Sequence, residues 1–227
     1  MPSFSAELVA RKALSARVVS MTFVASEPFP RAAGQHAVLT LEQGSSFAFS
    51  LASPFSAAEP GHFEIAAARG TTAERLLELS VGSRVSVKGP SGSLVWKADA
   101  PTLLVGTGTG VSPLRAIVIE QLARRDSRIP ITLLFGCRDA SEELWGADLA
   151  GLGQEHQRFR YIPTHSQQSV SYAGRMGRVQ EHLPELARQL GTTGRAYLCG
   201  HKPMVTECTA LLLDQGILPD HIQGESY

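Results

Sequence analysis

Residues 103–117 read LLVGTGTGVSPLRAI, an apolar run, then glycines at 106, 108 and 110, then a helical pattern. A strand that passes through a glycine turn into a helix is half of a βαβ unit, and it commits this part of the chain to a parallel sheet. Glycines there let the backbone turn sharply and approach a ligand. The helix behind them offers unpaired N–H groups and the positive end of its dipole. An anion, most simply a pyrophosphate, suits that position; a tight turn with no ligand is the alternative. The spacing is GxGxG followed by Val111, neither the GxGxxG dinucleotide fingerprint nor a P-loop with its GK.

The rest of the second half continues the alternation. PITLLFG, RFRYIPT and GRAYLCG read as strands. GVSPLRAIVIEQLARR, GRVQEHLPELARQL and KPMVTECTALLLDQG read as helices, with a weaker helical stretch around ELWGADLAGLGQEHQ. A second glycine turn, YLCGHKPM, ends a strand at Cys199–Gly200. Ligands of open α/β sheets bind beyond the carboxyl ends of the strands, so the two turns are expected to flank one cleft with Cys199 facing it. His201 is expected in a surface loop, with contact to the cleft as the alternative, and Cys137 and Cys208 as small buried hydrophobes.

The first hundred residues have another rhythm. AELVARKAL, RVVSMTFVAS, HAVLTL, FAFSLAS, HFEIAAAR and RVSVKGP are short strands between Gly, Pro and Ser clusters, with one helix, TTAERLLELS. That pattern predicts a sandwich or barrel. A chain of 227 residues suits two domains of about 100 each, and the change of rhythm near Lys97–Ala100 divides it into 1–98 and 99–227.

Composition removes several functions. Twenty-one basic residues balance twenty-one acidic ones, which argues against a general nucleic-acid or membrane-surface binder. Arg124, Arg125 and Arg128 read as a solvated helix end, with an acidic docking partner as the alternative. Three cysteines without CxxC spacing give no disulfide framework and no ligand set for an iron–sulfur cluster. No HExxH or Cys/His spacing suggests a metal, and no GxSxG suggests an α/β-hydrolase. With no apolar leader and no run of about 18 apolar residues, the cytoplasm is the expected compartment.

Taken in order, SSFAFSLASP, GTGTGVSPLRAI, LFGCRDASEELW, GRMGRV, YLCGHKPMV and a terminal ESY resemble the ferredoxin–NADP reductase superfamily, including its flavin reductase and cytochrome b5 reductase-like branches. The resemblance spans essentially the whole chain. It implies an N-terminal antiparallel flavin-binding β-barrel and a C-terminal parallel-sheet α/β domain that binds NAD(P). It also implies hydride transfer from nicotinamide to flavin N5. By position, Ser50 resembles the serine near N5, and Phe47, Phe49 and Ser53 belong to the same flavin strand. Gly70, Thr71 and Thr72 resemble the turn against the flavin phosphates. Gly106, Thr107, Gly108, Thr109 and Gly110 resemble the dinucleotide pyrophosphate loop. Cys199 and Gly200 resemble the pair beside the nicotinamide, Glu225 the acidic residue near the C-terminus, and Tyr227 the terminal aromatic that stacks on the isoalloxazine. Bland alternatives stand beside these: a strand serine, helix caps, a frayed tail.

One departure matters. The family strand reads Arg-x-Tyr-Ser or Arg-x-Phe-Ser, and its arginine grips the flavin phosphate; here Phe47 stands in that arginine's place and Phe49 in the tyrosine's. Arg69 supplying the cation is one explanation. A loosely held flavin, or a lost flavin site, are the others. For the dinucleotide, Gln167 in THSQQ stands where NADPH users carry arginine, Asp139 beside Arg138 would repel a 2′-phosphate, and Arg175 and Arg178 lie nearby. The reading leans to NADH over NADPH, with FAD ahead of FMN. It predicts a flavin-dependent NAD(P)H oxidoreductase serving a separate acceptor: ferredoxin, flavodoxin, a haem protein, a partner subunit or free flavin. The alternative is an accessory dinucleotide-binding subunit with weak or lost flavin binding.

Overall fold

A computed structural model describes residues 3–97, 99–167 and 174–227. Strands β1 (Ser3–Ala13), β2 (Val18–Ala25), β3 (His36–Thr40), β4 (Ser46–Ser50), β5 (His62–Ala68) and β6 (Arg84–Ser91) form one antiparallel sheet in the order β4-β3-β6-β1-β2-β5. Alternation puts Leu8, Met21, Phe23, Leu39, Ile65 and Val87 inside. The sheet curls around that core, and Ala52 N–H beyond β4 meets the Glu64 carbonyl of β5 at 2.7 Å. Phe4, Phe29, Phe63 and Phe23 link edge-to-face and stacked at one end, with centroids 4.8–5.4 Å apart. A bulge in β1 between Leu8 and Ala10 turns Val9 outward.

The second sheet is parallel throughout, ordered β10-β9-β8-β7-β11-β12. Its strands are β7 (Thr102–Thr107), β8 (Ile131–Cys137), β9 (Phe159–His165), β10 (Arg175–Met176), β11 (Arg195–Gly200) and β12 (Ile222–Ser226). Its helices are α1 (Val111–Ala123), α2 (Gly146–Glu155), α3 (Val179–Leu190) and α4 (Lys202–Asp214). Both faces are covered, as near-continuous apolar strands require. Leu104, Leu133 and Tyr197 pack under Leu114, Ile117 and Val118 of α1. Leu103, Val105 and Leu198 pack under Leu183 of α3 and Met204 and Cys208 of α4. Strand order reverses between β7 and β11, so their carboxyl ends open a crevice there. Among the described residues, no helix is long and apolar enough to cross a membrane.

Two local expectations change, and one alternative falls. The segment TTAERLLELS forms a 3₁₀ turn over Thr72–Glu78 rather than a full helix. Leu76 and Leu77 are both buried, and the Arg11 guanidinium takes the carbonyls of Leu77 and Leu79 at 2.7 and 2.6 Å, which ends the helical run. At the C-terminus, where a frayed tail stood as the alternative, Ile222–Ser226 pairs in register with β11. Strand β10 was not expected at all. Ala98, at the expected change of domain, and Gln168, in THSQQ, lie outside the described residues.

Candidate active site

The crevice at the switch point is a cleft of about 850 Å³ between the two sheets. Strand β7 ends at Thr107, a 3₁₀ turn covers Gly108–Gly110, and α1 begins at Val111. A Cβ on Gly110 would stand 2.2 Å from the Cys199 carbonyl oxygen, and one on Gly200 2.3 Å from Thr107 Oγ1. The two glycine turns therefore interlock, and neither accepts a side chain. Gly106 is held against Leu114 Cδ1, where a Cβ would approach to 3.0 Å. Thr107, Gly108 and Thr109 border the cleft; Gly106, Gly110 and Gly200 shape it from behind.

Ser112 was not singled out from the sequence, yet it is the most pointed polar group here. It borders the cleft in the first turn of α1, is 2% exposed, and its hydroxyl has no hydrogen-bond partner among the described residues. A buried hydroxyl left unpaired costs stability unless a ligand completes it. Its neighbours in GTGTGVS gave the signal: a hydroxyl just behind a glycine turn, at a helix start.

The four residues assigned to chemistry gather at one end. Ser50, on β4, borders the cleft, and so does Tyr227. Tyr227 is 62% exposed overall, but its hydroxyl reaches into the glycine turn, donating to the Thr107 carbonyl at 3.0 Å and accepting from Gly110 N–H at 3.3 Å. Cys199 is buried beneath rather than facing the cleft, and burial pushes its thiol up to about 12, so it stays neutral at ordinary pH. Glu225 lies opposite Cys199 in the β11–β12 ladder; it accepts from Ser93 N–H at 3.3 Å and stands 4.0 Å from His36 Nδ1. His36 pairs with Ser50 across β3–β4 and also meets Ser91 Oγ at 2.9 Å. The tail thus ties the second sheet to β3, the strand paired with the one that carries Ser50.

The flavin strand is only partly as expected. Phe47 packs against the barrel core and does not border the cleft; Phe49 packs there too but forms part of the cleft wall, beside Ala48. Ser53 is not in the lining. Its hydroxyl accepts from Glu64 N–H at 3.0 Å and from Arg31 at 3.2 Å. Arg31 is 8% exposed, also donates to the Phe29, Ser53, Pro54 and His62 carbonyls, and is lowered to about 10 by burial. Thr71 and Thr72 border the cleft, with Thr71 Oγ1 donating to the Ala68 carbonyl at 2.8 Å; Gly70 turns the chain just outside it at φ +71°. Arg69 is exposed and does not border the cleft, whereas Arg17 does.

At the far end Arg138 borders the cleft and pairs with Glu142 at 3.6 Å. Asp139 turns aside to accept from Ser141 N–H and Oγ at 2.8 and 2.6 Å, which hold its carboxyl below the usual range. Arg175 is engaged by both oxygens of Glu185, at 3.0 and 3.3 Å. Arg178, Glu207 and His201 border the cleft, as does Cys137, which the sequence placed in the core. Gln167 is absent from the lining; its N–H donates to the Arg138 carbonyl.

An apolar wall beside a hydroxyl on one side, and a glycine cradle with an orphaned hydroxyl on the other, suit a flavin meeting a nicotinamide dinucleotide. The fold and cleft therefore define a dinucleotide-dependent oxidoreductase. Residues 104–210 match the family model described as Oxidoreductase NAD-binding domain. Ferredoxin--NADP reductase B of Sorangium cellulosum (strain So ce56) is 33% identical, over 99% of this chain and 97% of the relative. The reductase component of the naphthalene 1,2-dioxygenase/salicylate 5-hydroxylase systems of Ralstonia sp. is 32% identical, over 89% of this chain and 62% of that one. Among solved structures, the Amycolatopsis cytochrome P450 reductase GcoB superposes with a TM-score of 0.87 at 26% identity, covering 99% of this chain and 69% of that one. The chain belongs to the ferredoxin–NADP reductase superfamily.

Proposed function

We propose that this chain oxidises NADH through a bound FAD and hands the electrons singly to a separate carrier protein of the ferredoxin type. Residues 1–98 hold the flavin and 99–227 the dinucleotide. The observation that carries the reading is the cleft itself: Ser50 and the apolar β4 wall face the interlocked glycine turns and the unpaired Ser112 hydroxyl across one space. A flavin held against the β4 wall would supply the chemistry, accepting a hydride from the nicotinamide and releasing electrons singly. The chain's residues position that exchange. Ser50 offers a hydroxyl on the flavin side, and the Thr107–Thr109 turn and Ser112 receive the pyrophosphate. Tyr227 occupies Gly110 N–H with its hydroxyl, so that donor reaches a dinucleotide only where the tail yields it.

The charge at the far end supports NADH. Arg138 is balanced by Glu142 and Arg175 by Glu185, and Glu207 adds a carboxylate to the lining, which among the described residues at that end leaves Arg178 to face a 2′-phosphate. An iron–sulfur partner is supported by the relatives named for ferredoxin reduction. The inward packing of Phe47 supports a second reading, an accessory subunit without flavin.

The test is the visible spectrum of the purified protein, before and after NADH under anaerobic conditions. Flavin bands that bleach, with kcat/KM for NADH at least about tenfold above NADPH, are expected. A protein that stays colourless after incubation with FAD would favour the accessory subunit, and a preference for NADPH would overturn the cofactor assignment alone.

A further inference from the structure

Phe47 leaves the flavin half of the cleft without the cation that its relatives' strand supplies, so another side chain has to do that work. The first sheet and its turns carry six arginines: 11, 17, 31, 69, 75 and 84. Four have partners. Arg11 holds the Leu77 and Leu79 carbonyls, Arg31 is buried among backbone carbonyls, Arg75 donates to Ser45 Oγ and Arg84 pairs with Glu7. Arg17 and Arg69 remain, and the guanidinium of neither makes a hydrogen bond or ion pair among the described residues.

These two stand opposite each other. The β2–β5 ladder ends with Val18 against Ala68, and the next step brings Arg69 N–H to the Arg17 carbonyl at 2.8 Å. Like charges placed directly across a sheet repel, and an anion between or beside them removes that cost. Only Arg17 borders the cleft, together with Ser15, Ala68, Thr71 and Thr72. Its turn is fixed in advance: Ser15 Oγ accepts from both Arg17 N–H and Val18 N–H, and Leu14 N–H donates to the Val18 carbonyl. The carboxylates that border the same cleft, Glu142 and Glu207, both come from the second sheet's side.

We propose that Arg17, on the β1–β2 turn, replaces the missing strand arginine as the cation that binds the flavin nucleotide's phosphate. Arg69, the nearer guess from sequence, acts at most as a second, outer charge. The assignment rests on the flavin reading above. A guanidinium presents a permanent charge and a fork of N–H donors that matches phosphate oxygens, which suits the role from an exposed turn as well as from a strand.

The test is titration of the flavin-free protein with FAD, FMN and riboflavin, followed by quenching of flavin fluorescence. Wild type, Arg17→Gln, Arg17→Lys and Arg69→Gln are compared, with melting temperatures confirming the fold. Arg17→Gln is expected to weaken FAD and FMN roughly ten- to a hundredfold while leaving riboflavin, which has no phosphate, unchanged. It should also flatten the salt dependence of FAD binding, and Arg17→Lys should recover part of the loss. An equal loss for riboflavin, a loss confined to Arg69→Gln, or weaker NADH binding with flavin affinity intact would each overturn the assignment while leaving the flavin reading in place. A wild-type protein that binds none of the three flavins would overturn both.

Discussion

Ser112 shows what one unsatisfied atom implies. A hydroxyl that is buried and unpaired stays costly until a ligand arrives, so stability and binding pull in opposite directions at this position. Ser112→Ala is expected to raise the stability of the ligand-free protein by about 1 kcal/mol and to weaken NADH binding by about tenfold. Calorimetry of the free protein and titration with NADH measure the two effects separately. If stability fell and affinity for NADH stayed the same, the hydroxyl would be a packing group and the dinucleotide would lie elsewhere. Residue identities around it were readable because glycines and hydroxyls at a strand–helix junction have few other uses. Whether Ser112 was satisfied was not readable, since that depends on every neighbour.

At the scale of elements, the cleft depends on β7 and β11 standing close enough for their turns to touch. Gly110 meets the backbone of Cys199 and Gly200, where no flexible side-chain end is available to move aside. Gly110→Ala is therefore expected to cost about 1–3 kcal/mol and to loosen the Tyr227 hydroxyl from its place. A melting curve checks the first, and a rise in dinucleotide KM larger than any change in kcat checks the second. An alanine variant as stable as wild type would show that the turns are further apart than described. Strand β12 belongs to the same argument. The sequence left ESY between a functional end and a frayed tail; its parallel pairing with β11 comes from the partner strand, which local sequence does not report.

Across the whole molecule, the two sheets are joined by more than apolar contact. Arg115 of α1 reaches Glu64 of β5 at 2.8 Å, with side chains only 14% and 19% exposed. The same guanidinium donates to the Ala52 carbonyl at 2.7 Å and lies 4.8 Å above the Trp145 ring, while Glu64 also accepts from Ser20 Oγ and Trp145 Nε1. Ala33, Ala52 and Leu94 extend the α1 core across the junction, and the stacked Trp96 and Tyr197 rings close it. Removing one partner leaves a buried charge alone, so Arg115→Gln is expected to cost about 3 kcal/mol. In a double-mutant cycle with Glu64→Gln, the coupling should be about 1–3 kcal/mol. A calorimetric transition that splits in two would place the loss at the junction; coupling below about 0.5 kcal/mol would mean the pair does not hold the sheets together.

The alternation of strands and helices, the change of rhythm near residue 100 and the glycine turns were all determined by the sequence itself. Each is a local pattern: period two, period 3.6, or a backbone conformation that glycine favours. What the cleft faces with was decided by the tertiary structure. It laid Phe47 half-buried against the core, drew Ser53 to Arg31, sank Cys199 beneath the cleft, tied Arg175 to Glu185, and brought Arg17 to the cleft where the sequence suggested Arg69. Those outcomes depend on which residues far apart in the chain become neighbours, and a side chain's direction is set by whichever partner satisfies it at the lowest free energy.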